Sequence, residues 1–413
     1  MNFKTPRGAA DVLFTLAAVA LGLALASPGA LAQKRYDPGA SDTTIKIGQT
    51  MPYSGQASAY GTIGKVEAAY FRKINDEGGI NGRKIELVSL DDGYAPPKAV
   101  EMVRRLVEQD EVLLVFNTLG TAVNTAIQKY LQAKKVPQLF VATGATKWND
   151  PKGNPWTMGW QPSYQTETVI YARHILATKP NAKIAVLYQN DDFGKDYLKG
   201  LEDGLGDKAK TMIVAKVSYE ISDPTVDSQI VQLQASGADV LVNIATPKAA
   251  AQAIRKVHDL GWKATHYLNN VSVGVGSVLT PAGLDKSVGL ISTAYIKDPT
   301  DSQWANDAGL REWQAFMKKY YPEGSLIDNI NVYGYTVAKT LVQVLRQCGD
   351  NLTRENVMRQ AAALKDFAPD TLIPGIRINT SPTDFAPIEG MQLMRFDGKT
   401  WARFGEVISA DGR

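Results

Sequence analysis

The sequence predicts an α/β protein with parallel sheets covered on both faces by helices. Three observations carry this: short β-rich runs alternate with helical patterns, Gly and Pro punctuate the joints, and 413 residues exceed one typical core, so two domains are expected. The first strand is expected at Ile45 and Ile47, which alternate with polar neighbours. Further β-rich runs follow at 85–90, 112–116, 138–141, 184–188, 212–219, 240–244 and 290–293. Between them, Val66, Ala69 and Tyr70 share one helical face, as do Val100, Val103, Leu106 and Val107, and again Ala250, Ala253, Ile254 and Val257. Gly78-Gly79 and Asn81-Gly82 break the chain after the first helix, and Gly261 stands where a C-terminal cap belongs after Leu260. Residues 390–408 read as a hairpin, Met391 to Phe396 and Trp401 to Val407 around Asp397-Gly398.

The N-terminus has another character. Lys4 and Arg7 precede an apolar run over 12–26 that ends at Ala30-Leu31-Ala32, the pattern of a secretory signal peptide over 1–32, cleaved after Ala32. The run falls short of the roughly 20 apolar residues of a spanning helix. Export to the periplasm is expected, with a polar tether over 33–43 leading into the first strand. A formal net charge of +3 without a block of basic residues argues against a nucleic-acid partner. The single cysteine, Cys348, has no internal disulfide partner and reads as a small buried hydrophobe in a helical segment.

The Pro-, Gly- and Trp-rich stretch 151–163 is taken as the crossing between two α/β domains. In open parallel sheets a ligand lies beyond the carboxyl ends of the strands, so the loops over 49–61, 117–121 and 142–148 are the places to search. Gly120-Thr121 and Gly144-Ala145-Thr146 pair glycine with threonine at or just before a helix start, where free N–H groups and the helix dipole favour a carboxylate. From spacing alone, a plain turn at Gly120 and a cap at Thr121 is the favoured reading. No catalytic constellation stands out: His174, His258 and His266 are scattered, no HxxxH, CxxC, Gly-x-Ser-x-Gly or Walker A pattern occurs, and Asp91-Asp92 fits a turn and cap. A non-enzyme without cofactor or metal is expected.

The run Gly78-Gly79-Ile80-Asn81-Gly82-Arg83-Lys84-Ile85-Glu86-Leu87-Val88-Ser89-Leu90-Asp91-Asp92, continuing through Pro97 to Val100, resembles the N-terminal signature of the leucine/isoleucine/valine-binding proteins of ABC importers. Three further pieces resemble that family in the same order: Pro52 to Gly55 with Tyr60-Gly61, Tyr188 to Gly194, and Gly237 to Leu241. The resemblance implies a type I periplasmic binding protein, two Rossmann-like lobes joined by a three-crossover hinge. The first lobe would comprise 44–163 and a return over 292–376, the second 164–291 and the C-terminal hairpin over 377–413. It further implies a protein that closes on a small-molecule carboxylate and docks on an ABC permease in the inner membrane, and a monomer is expected.

Position by position, Gly120 and Thr121 match the family's carboxylate loop, Gly144, Ala145 and Thr146 a second carboxylate-side loop, and Tyr60 the aromatic that covers the ligand. Phe193 falls where the family has a ligand-facing tyrosine, and Thr246 near another. Trp148 and Tyr164 are expected near the cleft and hinge. One departure bears on the cargo: amino acid receptors of the family carry a glutamate for the α-ammonium group after the strand near Leu268, and here that stretch, Asn269 to Gly274 around Ser272, holds no acid. A buried ammonium without a carboxylate is costly, so either another acid serves or the ligand has no amino group. The expected ligand is an aromatic or apolar carboxylic acid. A branched-chain or other amino acid is the alternative, and a sensory receptor for the same kind of ligand is the alternative of another class.

Overall fold

The protein is described by a computed structural model over residues 1–3 and 34–409. The export signal and its cleavage after Ala32 lie outside the described residues. Among the described residues no helix is long and apolar enough to cross a membrane.

The segment expected as a tether is pinned down instead. Strand β1 (Arg35–Tyr36) runs parallel to β12 (Asn351–Leu352), beside the buried Arg83 guanidinium, which donates to Asp350 at 2.6 Å and to the Tyr36 hydroxyl at 2.7 Å. The first large sheet is parallel and five-stranded, in the order β3-β2-β4-β5-β6. Its strands are β2 (Thr44–Met51), β3 (Lys84–Asp91), β4 (Leu114–Phe116), β5 (Gln138–Val141) and β6 (Thr157–Gly159). Here β4 is shorter than its apolar run, because Glu111 takes a left-handed turn (φ 51°) and delays the strand. The β6 strand lies in the stretch expected as an irregular crossing; three residues between turns carry no periodicity to read. Helices α1 (Thr62–Asp76), α2 (Pro96–Glu108) and α3 (Thr121–Lys134) connect these strands.

The second sheet is seven-stranded, in the order β14-β13-β11-β10-β9-β7-β8. It comprises β7 (Ile184–Gln189), β8 (Ile213–Tyr219), β9 (Val240–Ile244), β10 (Thr265–Leu268) and β11 (Ile291–Ala294), all parallel, with the antiparallel hairpin β13 (Gly390–Phe396) and β14 (Trp401–Ser409) on its edge. Helices α4 (Tyr164–Thr178), α5 (Asp192–Leu205), α6 (Asp227–Ala235) and α7 (Pro247–Asp259) cover it. Strand β9 is buried at every position, as a central parallel strand must be. Because β11 pairs with β10 and β13, the chain leaves this lobe after Ala294, not at Ser292; the strand's apolar end hid the boundary.

Helices α8 (Ala308–Tyr320), α9 (Asn329–Cys348) and α10 (Arg354–Ala361) follow, and α8 and α9 pack on α1 of the first lobe. Cys348 ends α9 inside the core, where burial pushes its thiol up to about 12. The chain thus passes between lobes three times. At the crossings, the Trp160 indole donates to the Thr340 hydroxyl at 3.1 Å, and the Ile373 N–H to the Tyr295 carbonyl at 3.0 Å.

Candidate functional site

A cavity lies between the lobes, and nearly every parallel strand end feeds it. From the first lobe come Tyr60 and Ile63 after β2, Tyr94 after β3, Leu119, Gly120 and Thr121 after β4, and Ala142 after β5. The second lobe supplies Phe193 after β7, Thr246 after β9, and Asn270 and Val271 after β10. Gln161, Tyr164, Tyr295 and Ile296 come from the crossings, and Asn329, Ile330 and Tyr333 from the first turns of α9. Its volume of about 60 Å³ gives room for about four to six waters at roughly 10–15 Å³ each, or about 120–180 Å³ of liquid. That is the size of a single-ring or branched aliphatic acid.

Six aromatic rings line the cavity, and none of the described lining residues carries a charge. Polar groups stand on both walls. Gly120 (φ 99°) precedes α3, and no side chain caps that helix, so its first N–H groups have no intrahelical acceptor. Glycine is required there: a Cβ would sit 2.5 Å from Tyr94 Cε2. Thr121 Oγ1 shares a 2.6 Å hydrogen bond with Thr143 Oγ1, which fixes its rotamer. On the opposite wall the Tyr219 hydroxyl accepts from the Thr246 N–H at 3.0 Å and donates to Gln189 Oε1 at 3.0 Å. The Asn329 side-chain oxygen is buried and has no partner among the described residues. Around the rim the lobes already meet: the Tyr60 hydroxyl donates to the Val271 carbonyl at 2.9 Å, and Lys248 Nζ to Gln56 Oε1 at 2.6 Å.

Of the residues expected from sequence, Tyr60, Gly120, Thr121, Phe193 and Thr246 come together here, with Tyr164. Gly144, Ala145, Thr146 and Trp148 line a neighbouring pocket that meets the cavity only at Gln161. Thr146 is engaged elsewhere, its N–H and hydroxyl both donating to Asp196 of α5, at 2.9 and 3.0 Å. The Trp148 indole donates to Thr143 Oγ1 at 3.3 Å. Ser272 is buried outside the lining, donating to the Ala245 carbonyl at 2.6 Å. Sequence reasoning missed Tyr94, Tyr295, Asn329 and Tyr333. The first two directly follow strands and were findable by that rule; the other two sit on a helix far along the chain and gave no local signal.

No acid replaces the missing glutamate on the lining. Two acids beside lining residues are already engaged. Glu167 accepts from the Asn270 N–H at 2.6 Å and from the Tyr197 hydroxyl at 2.7 Å, and Asp191 accepts from Gln189 Nε2 at 2.6 Å and from the Gly194 N–H at 3.2 Å. Burial pushes the Asp191 carboxyl up, as it does Glu167.

The periplasmic binding protein family matches residues 44–400. Leu/Ile/Val-binding protein homolog 1 of Brucella abortus is 24% identical over 345 residues, covering 82% of this chain and 86% of that protein. Among solved structures, a branched chain amino acid ABC transporter from Thermus thermophilus with bound valine aligns with a TM-score of 0.80 at 17% identity, over 90% of this chain and 97% of that one. The fatty acid ABC transporter substrate-binding protein from Thermomonospora curvata aligns with a TM-score of 0.76 at 20% identity, over 92% and 97%. At these identities the two structures establish the shared fold.

Proposed function

The chain belongs to the periplasmic binding protein family, and from that premise we propose that it is the solute-binding component of an ABC importer whose cargo is a small aromatic or apolar carboxylic acid without an amino group. The observation that carries this reading is a cavity with six aromatic rings, no charged lining residue and an uncapped helix start at Gly120-Thr121. The carboxylate is received by the first N–H groups of α3 and the Thr121 hydroxyl, with the positive end of the helix behind them. The apolar body packs among Ile63, Leu119, Tyr164 and Phe193. Tyr60 closes over it through its bond to Val271. An α-ammonium group would find only neutral dipoles there, and burying it unpaired is strongly unfavourable.

Export under the 1–32 signal delivers the protein to the periplasm, where the closed form docks on its permease. The ligand leaves chemically unchanged. Thermal-shift measurements with benzoate and cinnamate against leucine, isoleucine and valine test the cargo, since a ligand of the native state raises its stability in proportion to the logarithm of concentration over Kd. Stabilisation by the acids is the expected result. Stabilisation by the amino acids alone returns the protein to the cargo that its Brucella relative's name and the valine-bound Thermus structure carry.

A further inference from the structure

Behind the cavity wall, Glu167 in the first turn of α4 is 2% exposed and holds parts of two other elements. Its Oε1 accepts from the Asn270 backbone N–H at 2.6 Å and from the Tyr171 hydroxyl at 2.5 Å. Its Oε2 accepts from the Tyr197 hydroxyl at 2.7 Å. Asn270 and its neighbour Val271 line the cavity, and Val271 offers the carbonyl that Tyr60 grips from the other lobe. Tyr197 stacks on Tyr164 with ring centres 4.3 Å apart and meets Phe193 edge-on at 5.4 Å, both of them cavity rings. One carboxylate therefore ties the turn after β10 to the aromatic wall, and it lies one layer away from any ligand.

We propose that Glu167 is a positioning residue that sets the shape of the ligand cavity, its ionised carboxylate holding the Asn270-Val271 turn and the Tyr164-Phe193 wall in mutual register. The inference rests on the reading of this cavity as the ligand site. An ionised carboxylate suits the task because it accepts on both oxygens at once, and charge-assisted hydrogen bonds are roughly twice as strong as neutral ones. Protonation places a hydrogen on one oxygen, opposite a group that was donating to it, and that tie is lost. Burial raises the Glu167 carboxyl to about 7 against the opposing pull of its donors. The groups facing it are Tyr171 on α4, Tyr197 on α5, the Asn270 N–H and Thr293 on β11, all neutral at that pH. Cavity shape, and with it affinity, follows the ionisation of this group near neutral pH.

Two measurements test this. In calorimetric titrations with benzoate and cinnamate, wild-type affinity is expected to fall several-fold from pH 8 to pH 6. Glu167→Gln should bind about tenfold more weakly at pH 8, the loss of one charge-assisted bond, with a flat pH profile. Equal affinity and an unchanged profile in Glu167→Gln overturn the proposal. In the ligand-free protein, amide exchange over 269–272 should accelerate about tenfold in Glu167→Ala and return most of the way in Glu167→Gln, which keeps an acceptor for the Asn270 N–H. Wild-type exchange in Glu167→Ala overturns it too. If the exchange result holds while wild type binds neither acid, the positioning role stands and the cargo reading fails.

Discussion

Gly120 sets the start of α3 with the fewest atoms of any residue on the cavity wall. Its positive φ turns the chain into α3 with the helix start bare, and the Tyr94 ring lies where any Cβ would go. Gly120→Ala should lower stability by about 1–3 kcal/mol, the scale of a strained backbone residue. It should weaken ligand binding at least as much, because the ring and the N–H groups move together; calorimetry and titration of one preparation check both. Tyr60→Phe removes one interlobe hydrogen bond, worth about 0.5–1.5 kcal/mol, so ligand release should speed up about 2- to 10-fold in stopped-flow measurements while the folded core is unaffected.

At Glu167 the sign of the pH effect is fixed by its raised folded-state pKa. Between its ordinary value of 4.5 and about 7 the unfolded chain releases the proton while the folded protein keeps it, so this group costs stability as pH rises through that window. The melting temperature of Glu167→Gln relative to wild type should therefore climb from pH 5 to pH 8; a flat difference would contradict the assignment. The expected positions that line the cavity, Tyr60, Gly120, Thr121, Phe193 and Thr246, all lie in segments that follow a strand end. Thr146 obeys the same rule yet is taken by Asp196, and Ser272 turns to the Ala245 carbonyl. Such competition is decided by tertiary neighbours that no local pattern displays.

At the scale of elements, some fully buried strands were readable nearly to the residue, as 138–141 and 240–244 show. The failures share a cause. Strand β6 is three residues long, β4 is shortened by the turn at Glu111, and β11 ends in a crossing with no change of composition. Length and hydrophobicity report burial; they do not report which sheet does the burying. The crossings are cemented by Trp160, fully buried, donating to Thr340 and meeting Tyr295 and Tyr333 edge-on at 5.9 and 5.3 Å. Trp160→Ala should cost about 3–5 kcal/mol. In a domain of 150–250 residues that lowers the melting temperature by about ten degrees. Because Tyr295 and Tyr333 also line the cavity, ligand affinity should fall with it, and calorimetry of both properties checks the coupling. A Trp160→Phe variant should recover most of the stability and lack the Thr340 bond.

At the scale of the whole molecule, the fold of a periplasmic binding protein encloses one cavity between two lobes. The parallel strands of both sheets feed one cavity from their carboxyl ends, and its described lining holds rings and dipoles in place of charges. The two-lobed plan was accessible from strand–helix alternation and the Gly78–Asp92 run. The chemistry of the cavity was only half accessible, because it depends on which acids face inward. Glu167 and Asp191 stand outside the lining, engaged with donors of their own. The direct test is isothermal titration of the purified mature protein with benzoate, cinnamate, leucine, isoleucine and valine at pH 8. Binding of the aromatic acids with no heat from the amino acids is the predicted result. Tight binding of leucine, isoleucine or valine with no heat from the acids would contradict it.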